Sequence, residues 1–266
     1  MKMKKSLVLF LLLAMVVSLA GCSGSGDKNG GADANEIKIG INYELTGAVA
    51  SYGESSVNGI LMAFDEINAA GGINGMKIVP VQFDNKSEPA EATSLATRLM
   101  TQEGVVAALG PATSGNFMAT IPVAMGNKVP IISASATADK GVTVDDKGNV
   151  NEYVFRLCFN DSFQGVTMAN FAFNNLNATK AVIIQDNSSD YGKGLAENFK
   201  ATFEAAGGTI VAHEGYVAKD KDFNAILTSI KGKDFDVIFI PGYYQEAGLI
   251  IKQARDQGID APILGA

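Results

Sequence analysis

The sequence contains no tryptophan, only one histidine and two cysteines among its 266 residues. With a single histidine, a histidine-based metal site cannot be assembled, so we expect no metal ion. Lysine and arginine total 21 against 28 aspartates and glutamates, which gives a formal net charge of -7. A negatively charged chain does not attract the negatively charged phosphates of nucleic acids, so we expect no nucleic-acid partner. The 47% of apolar residues is ordinary for a globular protein and provides for a large core.

The first residues carry the pattern of a secretory signal. Three lysines precede an apolar stretch over residues 6–20, which is shorter than the roughly 20 residues of a membrane span. Residues 19–22 read Leu-Ala-Gly-Cys and resemble the bacterial lipobox, where cleavage before the cysteine leaves a lipid-modified N-terminus. We therefore expect a signal peptide over 1–21, lipidation of Cys22, and a flexible glycine-rich tether over 22–35. The protein would then be extracytoplasmic and anchored to the bacterial cell membrane.

The other cysteine, Cys158, has no second cysteine to pair with once Cys22 is lipidated, so no intrachain disulfide is expected. It lies in an apolar alternation typical of a strand, which predicts a buried, inert thiol. Glycine-rich segments such as 70–75 and 192–194 lack the context of nucleotide-binding loops. We therefore expect no cofactor and no catalytic residues.

Short β-branched segments alternate with longer helical patterns from Glu36 onward. The predicted strands are 37–41, 77–83, 105–109, 129–132, 181–184, 209–212, 237–240 and 262–264. Between them, apolar residues recur every three or four positions, which is typical of amphipathic helices. The alternation predicts an α/β fold with parallel sheets. This alternation of strands and helices is interrupted over 139–159. We therefore predict two Rossmann-like lobes, 36–155 and 156–266, joined by a hinge and separated by a cleft.

Polar loops follow several predicted strands. Thr113 and Ser114 lie in a Gly-Pro turn before an apolar segment, where they can cap a helix or offer hydroxyls and free amides to a carboxylate. For this loop alone, both interpretations stay open. A second hydroxyl-rich loop follows at 133–138, on the neighbouring strand. Tyrosines follow the first strand and two strands of the second lobe, and their flat rings suit an aliphatic or aromatic side chain.

The chain resembles the amino-acid-binding lipoproteins of ABC importers, the leucine/isoleucine/valine-binding group with the type I periplasmic-binding fold. The resemblance covers 36–266 and is carried, in order, by IKIGINYELTGAVASYGESSVNG, INAAGGINGMKI, GPATSG, PIISASAT, DYGKGLAENF, KDFNAIL and PGYYQEAGLIIKQARDQG. It implies that Ser114 and Thr137 bind the ligand carboxylate and that the carbonyl of Ser135 accepts from its ammonium group. Ala136 belongs to the same loop of the site. The rest of the pocket would be lined by Tyr52, Tyr191 and Tyr243.

The sequence departs from this family at its end. In the family an acidic residue that pairs with the ammonium group follows the strand equivalent to 262–264, and the members continue beyond it, whereas this sequence ends at Ala266. We therefore expect a C-terminally truncated chain with an incomplete second lobe.

The resemblance implies a receptor, not an enzyme, that captures a branched-chain amino acid and delivers it to an ABC permease complex. Three alternatives stay open. The same fold could bind an amide, urea or an aromatic acid, or could serve a sensory partner. A serine hydrolase using Ser114 is disfavoured, because the chain has no G-x-S-x-G elbow.

Overall fold

The structure is a computed structural model that describes residues 35–145 and 147–265. The predicted signal peptide, Cys22 and all but the last residue of the predicted tether lie outside the described residues. Among the described residues, no helix combines the length and the apolar character needed to cross a membrane.

The first part of the chain forms a five-stranded parallel sheet with the order β2-β1-β3-β4-β5. Its strands are β1 (Glu36–Tyr43), β2 (Lys77–Asp84), β3 (Ala107–Leu109), β4 (Ile131–Ser133) and β5 (Val154–Arg156). Its helices are α1 (Ala50–Ala69), α2 (Pro89–Arg98), which a π-helical turn over Leu99–Glu103 extends, and α3 (Ser114–Asn127). We call these elements the first lobe.

The second part forms a four-stranded parallel sheet with the order β7-β6-β8-β9. Its strands are β6 (Lys180–Asp186), β7 (Thr209–Tyr216), β8 (Val237–Ile240) and β9 (Ile263–Gly265). Its helices are α4 (Asp161–Asn170) with a π-helical extension over Phe171–Asn175, α5 (Asp190–Ala205), α6 (Asn224–Lys231) and α7 (Tyr244–Asp256). We call these elements the second lobe.

The second sheet is buried on both faces, which explains why its central strands read as continuous apolar runs. All four residues of β8 are buried. Because successive side chains of a strand point to opposite faces, Val237 and Phe239 pack with helices α4 and α5, whereas Ile238 and Ile240 pack with α6 and α7.

The predicted strands are all present, and β3 and β4 each begin two residues later than expected. The strand pattern noted around Cys158 corresponds to the three residues of β5, which ends before Cys158 and forms the edge of the first sheet. The predicted lobe boundary between residues 155 and 156 falls inside β5. The division into 36–155 and 156–266 therefore stays a prediction.

Candidate functional site

Each sheet has a point where the strand order reverses, between β1 and β3 in the first lobe and between β6 and β8 in the second. Ligands of open α/β sheets bind beyond the carboxyl ends of strands at such points. The helices that follow these four strands begin there, so their first turns carry the polar and aromatic groups of this edge. Tyr52 lies in the first turn of α1, Ser114 begins α3, Tyr191 is the second residue of α5, and Tyr243 precedes α7.

A cavity of about 280 Å³ lies between these helix starts. It is lined by Tyr52, Ser55, Ser56, Ala112, Thr113, Ser135, Tyr191 and Tyr243. Four of these, Tyr52, Ser135, Tyr191 and Tyr243, are residues that the sequence predicts for the site. Because both lobes contribute to the lining, the cavity occupies the predicted cleft.

Tyrosine rings form one wall of this cavity. The rings of Tyr191 and Tyr243 stack, with centroids 5.2 Å apart and planes at 16°. Tyr52 reaches from the first lobe with its edge towards Tyr243, at 6.3 Å, and Tyr244 packs against Tyr52 at 5.1 Å. Burial raises the pKa values of the Tyr191 and Tyr243 hydroxyls, so both stay neutral at physiological pH. The wall is therefore apolar with neutral polar tips.

The two hydroxyl-rich loops of the first lobe are tied to each other. The Ser133 hydroxyl donates to the carbonyl of Pro111 at 2.7 Å, and the Ser135 hydroxyl donates to the carbonyl of Ala112 at 2.8 Å. The Ser114 hydroxyl oxygen accepts from the backbone amide of Ala138 at 3.2 Å. These bonds hold the carboxyl ends of β3 and β4 in one rigid surface.

Three of the predicted residues lie deeper than expected. Ser114 is 1% exposed, Thr137 is 7% exposed and Ala136 is fully buried, and none of them lines the cavity. The structure therefore brings Ser135 and the three tyrosines to the cavity surface, while Ser114, Ala136 and Thr137 lie in the supporting loops.

Sequence reasoning missed Glu44, which organises the loop after β3. Its side chain is fully buried and accepts four hydrogen bonds. The donors are the backbone amides of Ala112 (2.9 Å) and Thr113 (3.1 Å), the Thr113 hydroxyl (2.9 Å) and the Asn116 amide (2.8 Å). The amides of Ala112 and Thr113 are therefore occupied by Glu44, and the Thr113 side chain does not cap α3. An acidic residue directly after an apolar strand is the signal that could have identified Glu44.

Two glycines allow this close assembly. A Cβ atom on Gly53 of α1 would lie 2.0 Å from the carbonyl oxygen of Glu44, so only glycine lets α1 bring Tyr52 to this edge. Gly110 has a φ of +84°, and a Cβ atom there would lie 2.4 Å from the carbonyl oxygen of Asn42. Both positions keep the first lobe compact at the cavity.

The two lobes also touch beside the cavity. The Tyr244 hydroxyl donates to Ser51 Oγ at 3.3 Å, and Lys219 Nζ pairs with Glu88 Oε1 at 2.6 Å. Asn198 Nδ2 donates to Asp139 Oδ2 at 3.3 Å. Each of these contacts joins one residue of the first lobe to one of the second, so the structure has its lobes in contact around the cleft.

Cys158 is half-buried, not fully buried as expected, because β5 ends two residues earlier and the chain beyond it lies at the surface. Burial still raises the pKa of its thiol, which favours the neutral, unreactive form. His213 lies on the edge strand β7 and contacts Gln185 at 2.9 Å. In the part of the chain that the structure describes, no group of three or more metal-ligating side chains is assembled.

Comparison with known proteins identifies relatives of this chain. Residues 36–266 match the family described as periplasmic binding protein. The Leu/Ile/Val-binding protein BraC3 of Rhizobium johnstonii is 37% identical over 230 residues, covering 86% of this chain and 61% of that protein.

Two solved structures share the fold. One is the branched-chain amino acid transporter substrate binding protein LivJ from Streptococcus pneumoniae in complex with isoleucine. It is 51% identical with a TM-score of 0.81, and the match covers 86% of this chain and 64% of that chain. The other is the leucine binding protein LivK from Thermotoga maritima, at 34% identity and a TM-score of 0.79, covering 86% and 63%.

The match spans about three fifths of the length of the curated relatives. The matched region nevertheless includes both sheets described here, and the match confirms the predicted type I periplasmic-binding fold. Proteins of this kind are extracytoplasmic solute-binding proteins, not enzymes, as the sequence predicts. This chain belongs to the periplasmic binding protein family.

Proposed function

We propose that this chain captures an amino acid with a branched aliphatic side chain in the cleft between its lobes and delivers it to an ABC permease complex. One observation carries the proposal, namely the cavity of about 280 Å³ with a hydroxyl-rich wall on one lobe and stacked tyrosines on the other. Its size is close to the lower end of small-molecule pockets, about 300 Å³. The relatives named as Leu/Ile/Val-binding proteins support the same ligand class.

In this proposal, the two ends of the ligand meet different lobes. The carboxylate binds at the loops of Ser114, Ser135, Ala136 and Thr137, and the aliphatic side chain packs against Tyr52, Tyr191 and Tyr243. Ser114 and Thr137 are buried, so their hydroxyls reach the ligand only after a small rearrangement of the loops. The carbonyl oxygen of Ser135 accepts no hydrogen bond within residues 35–145 and 147–265, which leaves it available to an ammonium group.

The protein works by closure of its lobes. A ligand that contacts both lobes stabilises the closed state over the open one, since only the closed state supplies both walls. The permease would then distinguish the closed, loaded receptor by the rims of the two lobes. A lipid on Cys22 would keep the receptor at the membrane surface beside the permease.

The experiment is a binding screen of the purified protein by thermal shift, with isothermal titration calorimetry of every compound that raises the melting temperature. The compounds are the twenty amino acids, urea, simple amides and benzoate. We expect the largest shifts from isoleucine, leucine and valine, because ligand binding stabilises the folded state by RT ln(1 + [L]/Kd).

The controls separate the alternatives. A shift with amides, urea or benzoate but with none of the amino acids would assign a different ligand class to the same cleft. Ser114→Ala and Thr137→Ala should each weaken isoleucine binding. Ser114→Ala should also lower the melting temperature of the free protein, because the buried amide of Ala138 loses its acceptor. Unchanged affinity in both variants would contradict the proposed carboxylate site.

A further inference from the structure

A second cavity, of about 260 Å³, lies between the lobes beside the cavity of about 280 Å³ described above. We call the latter the ligand cavity and the former the distal cavity, whose lining includes Glu88, Gly115, Asp186, Asp190 and Lys219. Thr113 of the first lobe and Tyr243 of the second line both cavities, so the two meet at these side chains. A ligand confined to the ligand cavity therefore leaves a space of comparable volume beside it.

The two cavities differ in the chemistry of their walls. The ligand cavity has no charged residue on its lining. The distal cavity has three residues with carboxylates and one with an ammonium group, namely Glu88, Asp186, Asp190 and Lys219. It also has three serines, Ser87, Ser188 and Ser189. An excess of carboxylates together with hydroxyl oxygens favours a cationic group that donates hydrogen bonds.

Asp186, the last residue of β6, is the buried carboxylate of this wall. It is 1% exposed, and its Oδ1 accepts from the backbone amide of Ser188 at 2.9 Å and from the Ser188 hydroxyl at 2.6 Å. Within residues 35–145 and 147–265, its Oδ2 accepts no hydrogen bond. Burying a charge is costly unless it is paired, so this oxygen is an acceptor that a ligand can complete.

The other charges of the distal cavity already have partners. Lys219 Nζ pairs with Glu88 Oε1 at 2.6 Å, and Asp190 Oδ1 lies 3.8 Å from Lys193 Nζ. Of the three carboxylates, Asp186 is the one that forms no ion pair with any of the described residues. The distal cavity therefore presents one buried carboxylate that lacks a cation.

Tyr243 connects the apolar wall of the ligand cavity with this carboxylate. Its ring stacks on Tyr191 in the ligand cavity. Its hydroxyl lies near Ser189 and Asp186, since burial raises the pKa of this hydroxyl, the Asp186 charge adds to the rise and a hydrogen bond with Ser189 opposes it. The wall is thus apolar in the ligand cavity and acidic beyond it, which matches a side chain with an aliphatic stem and a cationic end.

We propose that the distal cavity receives the end of a longer amino-acid side chain that carries a cationic group, and that Asp186 accepts hydrogen bonds from this group. This inference rests on the proposed function, because the aliphatic stem of the side chain would occupy the place of the isoleucine side chain in the ligand cavity. Arginine fits the description, since its guanidinium group carries five N–H donors in a planar arrangement that pairs with carboxylates. The receptor would then bind arginine as well as branched-chain amino acids.

The first test uses the unmodified protein and titration calorimetry with isoleucine, arginine and citrulline. Citrulline has the shape of arginine, but its side chain ends in a neutral urea group. We expect arginine to bind about tenfold more tightly than citrulline, because hydrogen bonds between two charged groups are stronger. Both should bind more weakly than isoleucine, because a long flexible side chain loses more conformational freedom on binding.

The second test fills the distal cavity. Gly115, the second residue of α3, lines the distal cavity but not the ligand cavity, and a Cβ atom there would lie in open space. Gly115→Leu should therefore weaken arginine binding about tenfold or more and change isoleucine binding less than about threefold. Gly126→Leu, near the other end of the same helix and also in open space, is the matched control and should change neither.

The third test removes the charge of Asp186. In Asp186→Asn the side-chain oxygen can still accept from Ser188, so the local structure is retained. Arginine should weaken about tenfold, to the affinity of citrulline, whereas citrulline and isoleucine should each change less than about threefold. A purely structural role of Asp186 would instead weaken all three ligands together.

The outcomes separate this inference from the proposed function. A protein that binds isoleucine but neither arginine nor citrulline would overturn the inference and leave the proposed function standing. Arginine binding that is unchanged in Gly115→Leu, or that falls in Asp186→Asn only as much as isoleucine binding does, would also overturn it. A protein that binds arginine but not isoleucine would support the distal cavity and contradict the proposed ligand class. A folded protein that binds none of the three would refute both.

Discussion

Two buried carboxylates at the cleft differ in the number of hydrogen bonds that they accept. Glu44 is fully buried and receives four hydrogen bonds, whereas Asp161 is almost as buried and receives none from the described residues. Donors offset the cost of burying a charge, so Glu44 can hold the loop after β3 in place. Asp161 lacks this compensation, and burial raises the pKa of its carboxyl to about 6.

At the scale of single residues, Glu44→Ala should destabilise the protein by about 2–4 kcal/mol, because it leaves buried amide donors of Ala112, Thr113 and Asn116 unsatisfied. Urea denaturation followed by circular dichroism measures the free energy of unfolding. Glu66→Ala on the exposed face of α1 is the matched control and should change it by less than about 0.5 kcal/mol. Equal effects of the two variants would contradict the structural role of Glu44.

At the scale of elements, the cavity is built almost entirely from the beginnings of helices. Parallel strands end at the same edge of a sheet, so the helices after β1, β3, β6 and β8 all start at the cleft. Helix α5 begins at Asp190, directly after its N-cap Ser189, and this start places Tyr191 in its first turn. The position of each aromatic ring thus follows from where its helix begins.

The stacked rings of Tyr191 and Tyr243, at the starts of α5 and α7, should contact the aliphatic side chain of the ligand. Tyr191→Ala should weaken isoleucine binding about tenfold or more, because apolar contact area is lost, and should weaken glycine binding less than threefold. Titration calorimetry with both amino acids measures the difference. Tyr191→Phe keeps the ring and should stay close to the unmodified protein. Equal losses for isoleucine and glycine would argue against this role.

At the scale of the whole molecule, a few polar contacts join the lobes around the cleft. The ion pair between Lys219 and Glu88 has side chains that are 69% and 48% exposed, so it contributes modestly to closure. Exposed charges are also screened by salt. Such a contact adjusts the balance between open and closed states without locking either.

Lys219→Met should therefore reduce isoleucine affinity by up to about fivefold at low ionic strength, because the closed state loses one stabilising pair. The difference should vanish at about 1 M salt, where screening removes the attraction. Titration calorimetry at both ionic strengths measures it. Lys252→Met breaks an exposed pair within α7 and should leave affinity unchanged. Equal losses in both variants would contradict a role of the Lys219 pair in closure.

The sequence by itself determined the alternation of strands and helices, the parallel sheets and the strand ends where Tyr52, Ser135, Tyr191 and Tyr243 line a cavity. These features follow from local periodicity and from the chain direction, which neighbouring residues encode. Only the tertiary structure decided that Glu44 occupies the amides of Ala112 and Thr113 and that the Ser114 hydroxyl joins two loops. It also decided that the Asp161 carboxylate is buried with no hydrogen-bond partner among the described residues. Burial and hydrogen bonding at these positions depend on residues far away in the sequence, such as Glu44 with Asn116 and Asp161 with Gly194.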